Sequence, residues 1–426
     1  MINMIFDATI LLNRNNKDCL RSGTYFVAKN IYERLRHNPN FNIYLYFDVN
    51  DIDCFLANSP AFDDPIVNDF DNLAWKCFFR INKKMWALHK RFFDHSILRK
   101  PFALGIVASQ KLIKTIKPVD QRIVSKCQVY FSPLCSPPKS IRKRNHLLFF
   151  TILHDAIPYF MPGDCGVAWT KELKKIVRCV KKNNFFICVS HNSFLDFNKI
   201  NPNISSKNTF VVPLAAGDEF HEKKNENDCD KLLKKYGIPK GKKFAFCLSS
   251  VSPRKNFNRI IRTFLAFVES DHVDDLVIVV SGAGSKDELL KLKKQQVYKK
   301  EWIDEIAYPT DYISDEEKVI LYQHAEWFVY TSRYEGFGLP PLEAMQCGCP
   351  VITSNNSSLP EVVGDAGIMI DWNSDEQHIE AYKLLYENKQ LRETLKKKAL
   401  RQAENFAWDK TVLLIERAIQ SKINQN

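Results

Sequence analysis

Two adjacent cations, Arg254 and Lys255, and two carboxylates eight positions apart, Glu335 and Glu343, are the residues best placed by type and spacing to do chemistry. An arginine fork beside a lysine point charge makes a clamp for a diphosphate. The carboxylates bracket the string Glu335-Gly336-Phe337-Gly338-Leu339-Pro340-Pro341-Leu342-Glu343. Gly336 and Gly338 let backbone approach a ligand, and the proline pair opens a helix on which Glu343 rides. The N–H groups at that helix start suit an anion, and each carboxylate can accept hydrogen bonds from sugar hydroxyls. His154-Asp155 in Leu153-His154-Asp155-Ala156-Ile157-Pro158 is a second place for hydroxyl recognition, or for stabilising developing positive charge, with Asp155 orienting the loop. Ser190, in Val189-Ser190-His191-Asn192-Ser193, either lines the same region or caps the helix that follows. Ser281-Gly282-Ala283-Gly284 is a short glycine turn of the kind found near phosphates.

The elements that must hold these groups alternate. Strands are expected at Met4–Leu12, Asn42–Phe47, Val129–Ser132, His146–Leu153, Phe185–Ser190 and Thr209–Val212, with an amphipathic helix at Tyr25–Arg36. A polar stretch, Ala216–Asp230, reads as a linker. The alternation then restarts with strands Phe244–Ser249, Leu276–Ser281, Trp327–Thr331 and Val351–Thr353, a helix Asn258–Glu269, and terminal helical segments Gln377–Asn405 and Trp408–Ile423. Alternating strands and helices give an α/β chain with parallel, doubly wound sheets, and 426 residues are too many for one core. In such sheets ligands lie beyond the carboxyl ends of the strands, which is where every candidate above falls.

The composition is that of a globular protein, with 45% hydrophobic residues and a formal charge of +12 that favours an anionic partner. No nucleic-acid-binding motif accompanies that charge. The 12 Cys show no metal-ligand spacing, and without a secretory signal they suit a reducing cytoplasm. No apolar run reaches membrane-spanning length.

The motifs together resemble the retaining GT-B glycosyltransferases of family 4. Glu335 and Glu343 match that family's E-x7-E pattern, Arg254-Lys255-Asn256 its R-K-N, and Leu153 to Pro158 its H-D-x-x-P. Gly348 to Ser354 and Leu359 to Gly367 resemble two further segments. The resemblance runs from Phe6 to Trp408, with 51–125 the least matched. It implies two Rossmann-like domains facing across a cleft: 1–215 for the acceptor, 216–405 for the nucleotide-sugar, and 406–426 as a helix crossing back to the first.

By the same resemblance His154, Arg254, Lys255 and Glu335 are catalytic. Gly23, Asp155, Ser190, Arg254, Lys255, Gly282, Gly336, Phe337, Gly338, Leu339 and Glu343 bind substrate. Glu335 contacts the donor sugar, Glu343 the ribose, His154 lines the sugar pocket, and Arg254 and Lys255 hold the diphosphate. The glycine loop Ser22-Gly23-Thr24 keeps one Gly where the family commonly has two, and lacks its Arg. Neither metal nor cofactor is implied, since the nucleotide-sugar is a substrate. Asp51-Ile52-Asp53 reads as a loop rather than a metal motif. The implied reaction is transfer of a hexose, with a lean towards mannose from GDP-mannose, to a glycan or lipid-linked acceptor in surface polysaccharide synthesis. A sugar-phosphate synthase, a phosphorylase and a non-catalytic module on the same fold are the alternatives.

Between Trp75 and Lys100, eight cations (Lys76, Arg80, Lys83, Lys84, Lys90, Arg91, Arg99, Lys100) interleave with aromatics against one acid, Asp94. Helix Trp169–Lys182 adds a basic face. Such segments suit peripheral contact with an anionic membrane on its cytoplasmic face, or pack their aromatics inward under a solvated rim.

Overall fold

The computed structural model describes residues 1–12, 23–48, 62–69, 73–91, 100–109, 119–178, 180–222, 226–294, 305–310 and 312–425. Asp51-Ile52-Asp53, Ser22 and residues 92–99 lie outside the described residues.

Twelve described strands form two parallel sheets. The first contains β1 (Ile2–Asp7), β2 (Phe41–Tyr46), β3 (Val129–Ser132), β4 (Leu148–Leu153), β5 (Asn184–Cys188) and β6 (Thr209–Val211), in the order 2-1-3-4-5-6. The second contains β7 (Lys243–Leu248), β8 (Leu276–Ser281), β9 (Ala307–Thr310), β10 (Trp327–Tyr330), β11 (Val351–Ser354) and β12 (Gly367–Ile370), in the order 12-11-10-7-8-9. Helices cover both faces of such sheets, so central strands are apolar on both sides; all six residues of β8 and all six of β4 are buried. The winding of the second sheet reverses between β7 and β10, and the crevice beyond those two strand ends is where a doubly wound sheet binds ligand.

The helices used below are α1 (Gly23–Arg36), α2 (Leu73–Arg91), α3 (Val167–Arg178), α4 (His191–Ile200), α5 (Glu226–Lys235), α6 (Phe257–Ser270), α7 (Asp315–His324), α8 (Leu339–Gln346), α9 (Leu359–Val363), α10 (Asp375–Glu387), α11 (Lys389–Ala403) and α12 (Trp408–Ile423). The last crosses back to the first sheet's layer. Trp408 is buried edge-on against Phe26, and Glu416 accepts from Asn38 and Asn40. No described helix is long and apolar enough to cross a membrane.

Several elements differ from the sequence expectation. The strand expected over Met4–Leu12 ends at Asp7, because that carboxylate accepts the Thr9 N–H and turns the chain into a 3-10 helix, Thr9–Leu12. The expected linker is not free chain: Ala216 and Phe220 are in the core, and α5 starts inside it. One expected helix, Gln377–Asn405, is two, since the Asn388 side chain caps α11 by accepting from Leu391 N–H. Strands β9 and β12 were not anticipated; both are edge strands, where Pro309 and the leading Gly367 are tolerated.

Asp7 carries a stability consequence. Burial, against the pull of hydrogen bonds from Thr9 and Tyr130, raises its pKa to about 6 from an ordinary 3.8. The folded state therefore holds the proton more tightly than the unfolded one. Stability present below the ordinary pKa is lost as pH rises through the folded value, by roughly 3 kcal/mol for this group. Asp7→Asn is expected to flatten that fall, read as urea-unfolding free energies at pH 4.5 and 7.5. An unchanged pH slope would show that Asp7 is not its source.

Candidate active site

Arg254 and Lys255 sit on a single 3-10 turn, Pro253–Lys255, directly after β7. Asn256 closes the turn in the left-handed region (φ 60°) and is fixed there by donating to the Trp372 carbonyl at 2.7 Å. Glu335 arrives from the neighbouring strand end, just past β10. The two cations converge on one of its oxygens: Arg254 Nη1 and Lys255 Nζ each donate to Glu335 Oε1 at 2.7 Å, and the Tyr330 hydroxyl adds a third bond at 2.9 Å. Burial opposes ionisation of Glu335, but Lys255 and Arg254 outweigh it and hold its pKa below the usual carboxylate range. Burial lowers the Lys255 pKa, with Glu335 only partly restoring it. Burial and Glu335 keep Tyr330 protonated, hence a donor.

Glu343 faces a different set. One turn into α8, it accepts from the Tyr322 hydroxyl at 3.2 Å and from Lys318 Nζ at 3.3 Å, both on α7. Burial raises its pKa while Lys318 pulls the other way. The helix start offers fewer anion donors than expected, because Pro340 and Pro341 have no N–H and leave Leu339 to supply the first positions. The Phe337 side chain is buried edge-on against Phe406. Gly338 holds φ 120°, a conformation glycine takes without strain. Gly282 supports the clamp from behind. A Cβ there would lie 2.2 Å from the Ser249 carbonyl oxygen, on the segment leading into Arg254.

The first half of the chain meets this site closely. A Cβ on Gly336 would lie 2.1 Å from the His154 carbonyl oxygen, so the two loops touch backbone to backbone. His154 is buried, with Nε2 2.7 Å from the Pro133 carbonyl, and burial lowers its pKa to about 4. A carbonyl only accepts, so Nε2 carries the proton of a neutral ring and Nδ1 presents a lone pair. Asp155 accepts from Ile157 N–H at 3.0 Å, which fixes the turn, and burial raises its pKa to about 6. Ser190 caps α4 by accepting from Ser193 N–H, and its hydroxyl donates to the Gly336 carbonyl at 2.7 Å. Gly23 is also near, since a Cβ there would meet Leu339 Cδ1 at 3.7 Å.

Sequence reasoning did not single out several participants. Tyr330 and Tyr334 lay in or beside the quoted strings; the Tyr334 hydroxyl donates to Asp196 at 2.6 Å across the cleft. Asp164 accepts from Ser252 at 2.9 Å and lies 4.0 Å from Arg254 Nε. Lys318 and Asp164 carried no local signal. Glu361, in the Leu359-Pro360-Glu361 run, places its two oxygens on the His191 and Asn192 N–H groups, each at 2.7 Å. A carboxylate from α9 thus occupies the positive end of α4 and joins the halves. Glu361→Ala is expected to lower kcat/KM about fivefold by loosening that junction, at ~1 kcal/mol for a lost cap. Steady-state kinetics with small-angle scattering checks it; wild-type kcat/KM with an unchanged scattering profile would remove Glu361 from the junction.

With this geometry in view, residues 228–402 match the family described as glycosyl transferases group 1. That match covers less than half of the chain. The clamp and both glutamates lie inside it. O-antigen chain mannosyltransferase B of Escherichia coli is 36% identical to the chain over 183 residues, covering 43% of this chain and 46% of the relative. A serotype-specific mannosyltransferase WbdA of the same species is 32% identical over 216 residues, covering 50% and 26%. The chain therefore spans less than half the length of these curated relatives. Solved structures share the fold along nearly the whole chain. WaaG, a glycosyltransferase involved in lipopolysaccharide biosynthesis, superposes with TM-score 0.59 at 14% identity, covering 98% of both chains. HepE of Anabaena, solved with UDP and glucose, superposes with TM-score 0.65 at 14% identity, covering 99% and 100%.

Proposed function

We propose that the chain is a retaining family 4 glycosyltransferase, moving a hexose from a nucleotide-sugar to a hydroxyl of a glycan or lipid-linked acceptor in surface polysaccharide synthesis. The observation that carries this reading is the convergence of Arg254, Lys255 and Glu335 at the β7/β10 switch point. Mannose from GDP-mannose is the preferred donor, supported by similarity to two mannosyltransferases.

In this scheme the diphosphate rests on Arg254 and Lys255. Arg254 Nε is buried without a hydrogen-bond partner among the described residues, and so has a donor to spend. Glu335 and the Nδ1 lone pair of His154 take donor-sugar hydroxyls, and Glu343 takes the ribose. The bond from anomeric carbon to phosphate oxygen breaks, and its electron pair stays on the phosphate. The acceptor oxygen attacks from the same face and passes its proton to that phosphate oxygen, while the two cations stabilise the charge. The chain supplies position, electrostatics and a dry cleft, with no step routed through a cofactor.

The place of action is the cytoplasmic face of a membrane. On α2, Lys76, Arg80, Lys83, Lys84, Lys90 and Arg91 are exposed together with Trp86, at 43%, and Ile81, at 40%. An exposed tryptophan among cations favours the headgroup layer over an inward-packed aromatic. On α3, by contrast, Leu173, Ile176 and Val177 are buried under the basic face.

The test is a transfer assay with a synthetic lipid-linked acceptor and a panel of nucleotide-sugars, the product read by anomeric NMR. A product with the donor's anomeric configuration supports the reading. An inverted product, or hydrolysis alone, contradicts it.

A further inference from the structure

We propose that Glu335 makes the clamp discriminate between intact donor and spent nucleoside diphosphate, by competing with the diphosphate for Arg254 and Lys255. This rests on the donor-site reading above and adds a role for that glutamate in product release.

The argument starts from how the donors are committed. Arg254 Nη1 has two protons, and the structure directs one to Glu335 Oε1 and one to the Tyr334 carbonyl at 2.6 Å. Lys255 Nζ donates to Glu335 and to Tyr330, and lies over the Tyr330 ring. The groups facing the clamp come from both halves: Glu335 and Tyr330 from the second, Asp155 and Asp164 from the first. Three acidic side chains thus surround two cations. A nucleoside diphosphate brings negative charge into a cluster that already holds more acids than cations.

Relief has to come from moving Glu335 off the cations, and a buried carboxylate moves only if it is given new donors. Sugar hydroxyls are such donors. With the hexose attached, they hold Glu335 and free Arg254 and Lys255 for the phosphate oxygens. Once the hexose has left, Glu335 returns to both cations and the bare diphosphate is displaced. The same oxygen atom, Oε1, thus links sugar recognition to phosphate affinity. A glutamate serving only as a sugar contact would weaken donor binding when lost and leave bare diphosphate affinity where it was.

Calorimetric titration at pH 7.5 separates these cases. GDP, UDP, ADP and TDP, and their hexose conjugates, are titrated into wild type, Glu335→Gln and Lys255→Ala, with thermal unfolding reporting that each variant is folded. For the nucleotide that binds, Glu335→Gln is expected to tighten the bare diphosphate about tenfold and to weaken the nucleotide-sugar, so the two affinities move in opposite directions. In wild type itself, saturating free hexose is expected to tighten the bare diphosphate severalfold, a result that needs no variant to fold. A bare-diphosphate affinity unmoved or weakened by both Glu335→Gln and free hexose overturns this inference alone. Wild type that binds no nucleotide overturns the donor-site reading and the inference with it.

Discussion

Lys255→Ala is expected to lower kcat/KM by roughly 10²–10³-fold, the cost of removing one preorganised donor from the charge developing on a leaving group. The side chain is 16% exposed, so no bulk water stands ready to replace the ammonium. Its loss leaves Glu335 with Arg254 and Tyr330 as partners, which keeps the carboxylate satisfied and the fold intact. The deficit should therefore appear in donor affinity and turnover rather than in unfolding temperature. Steady-state kinetics against donor concentration measures it; a loss smaller than tenfold would place the diphosphate elsewhere.

Gly336→Ala is expected to be as damaging, for a steric reason. The added Cβ would stand 2.1 Å from the His154 carbonyl oxygen and 2.8 Å from Asp155 Cβ. Backbone cannot yield as a flexible side chain does, so the loops must part. The hydroxyls of Ser190 and Ser193 would then lose the Gly336 carbonyl, which they now reach at 2.7 and 3.0 Å. His154 would move away from Glu335 by about the width of the clash. A displacement near 1 Å costs on the order of 10²-fold in rate when geometry carries the catalysis. Activity close to wild type in Gly336→Ala would remove the loop contact from the account.

Most of the fold was legible because parallel strands buried on both faces write themselves as apolar runs; Val129–Ser132 and Leu276–Ser281 could be read to the residue. Edge strands could not: β9 carries Pro309 and β12 opens on glycine, features that speak against a strand until a neighbour supplies the ladder. The clamp and both glutamates were legible from the local strings that hold them. Their partners were not. Asp164 reaches Ser252 across 88 positions and Glu361 reaches His191 across 170, and no local pattern encodes such distances. The proline pair of α8 misled in a specific way, marking the helix start correctly while removing the N–H groups that would have made it an anion site. Tyr330 was read only as part of the strand Trp327–Thr331, and only the fold shows its hydroxyl on Glu335.

The most direct test of a nucleotide-sugar site at the β7/β10 crevice is a thermal-shift panel of GDP-, UDP-, ADP- and TDP-hexoses against wild type and Lys255→Ala. A ligand at ~100 times its Kd stabilises by about 2.7 kcal/mol, a shift of a few degrees for a chain of this size. One nucleotide class raising the Tm of wild type but not of Lys255→Ala is the predicted result, and it names the donor. No shift with any nucleotide, or equal shifts in both proteins, would contradict the account.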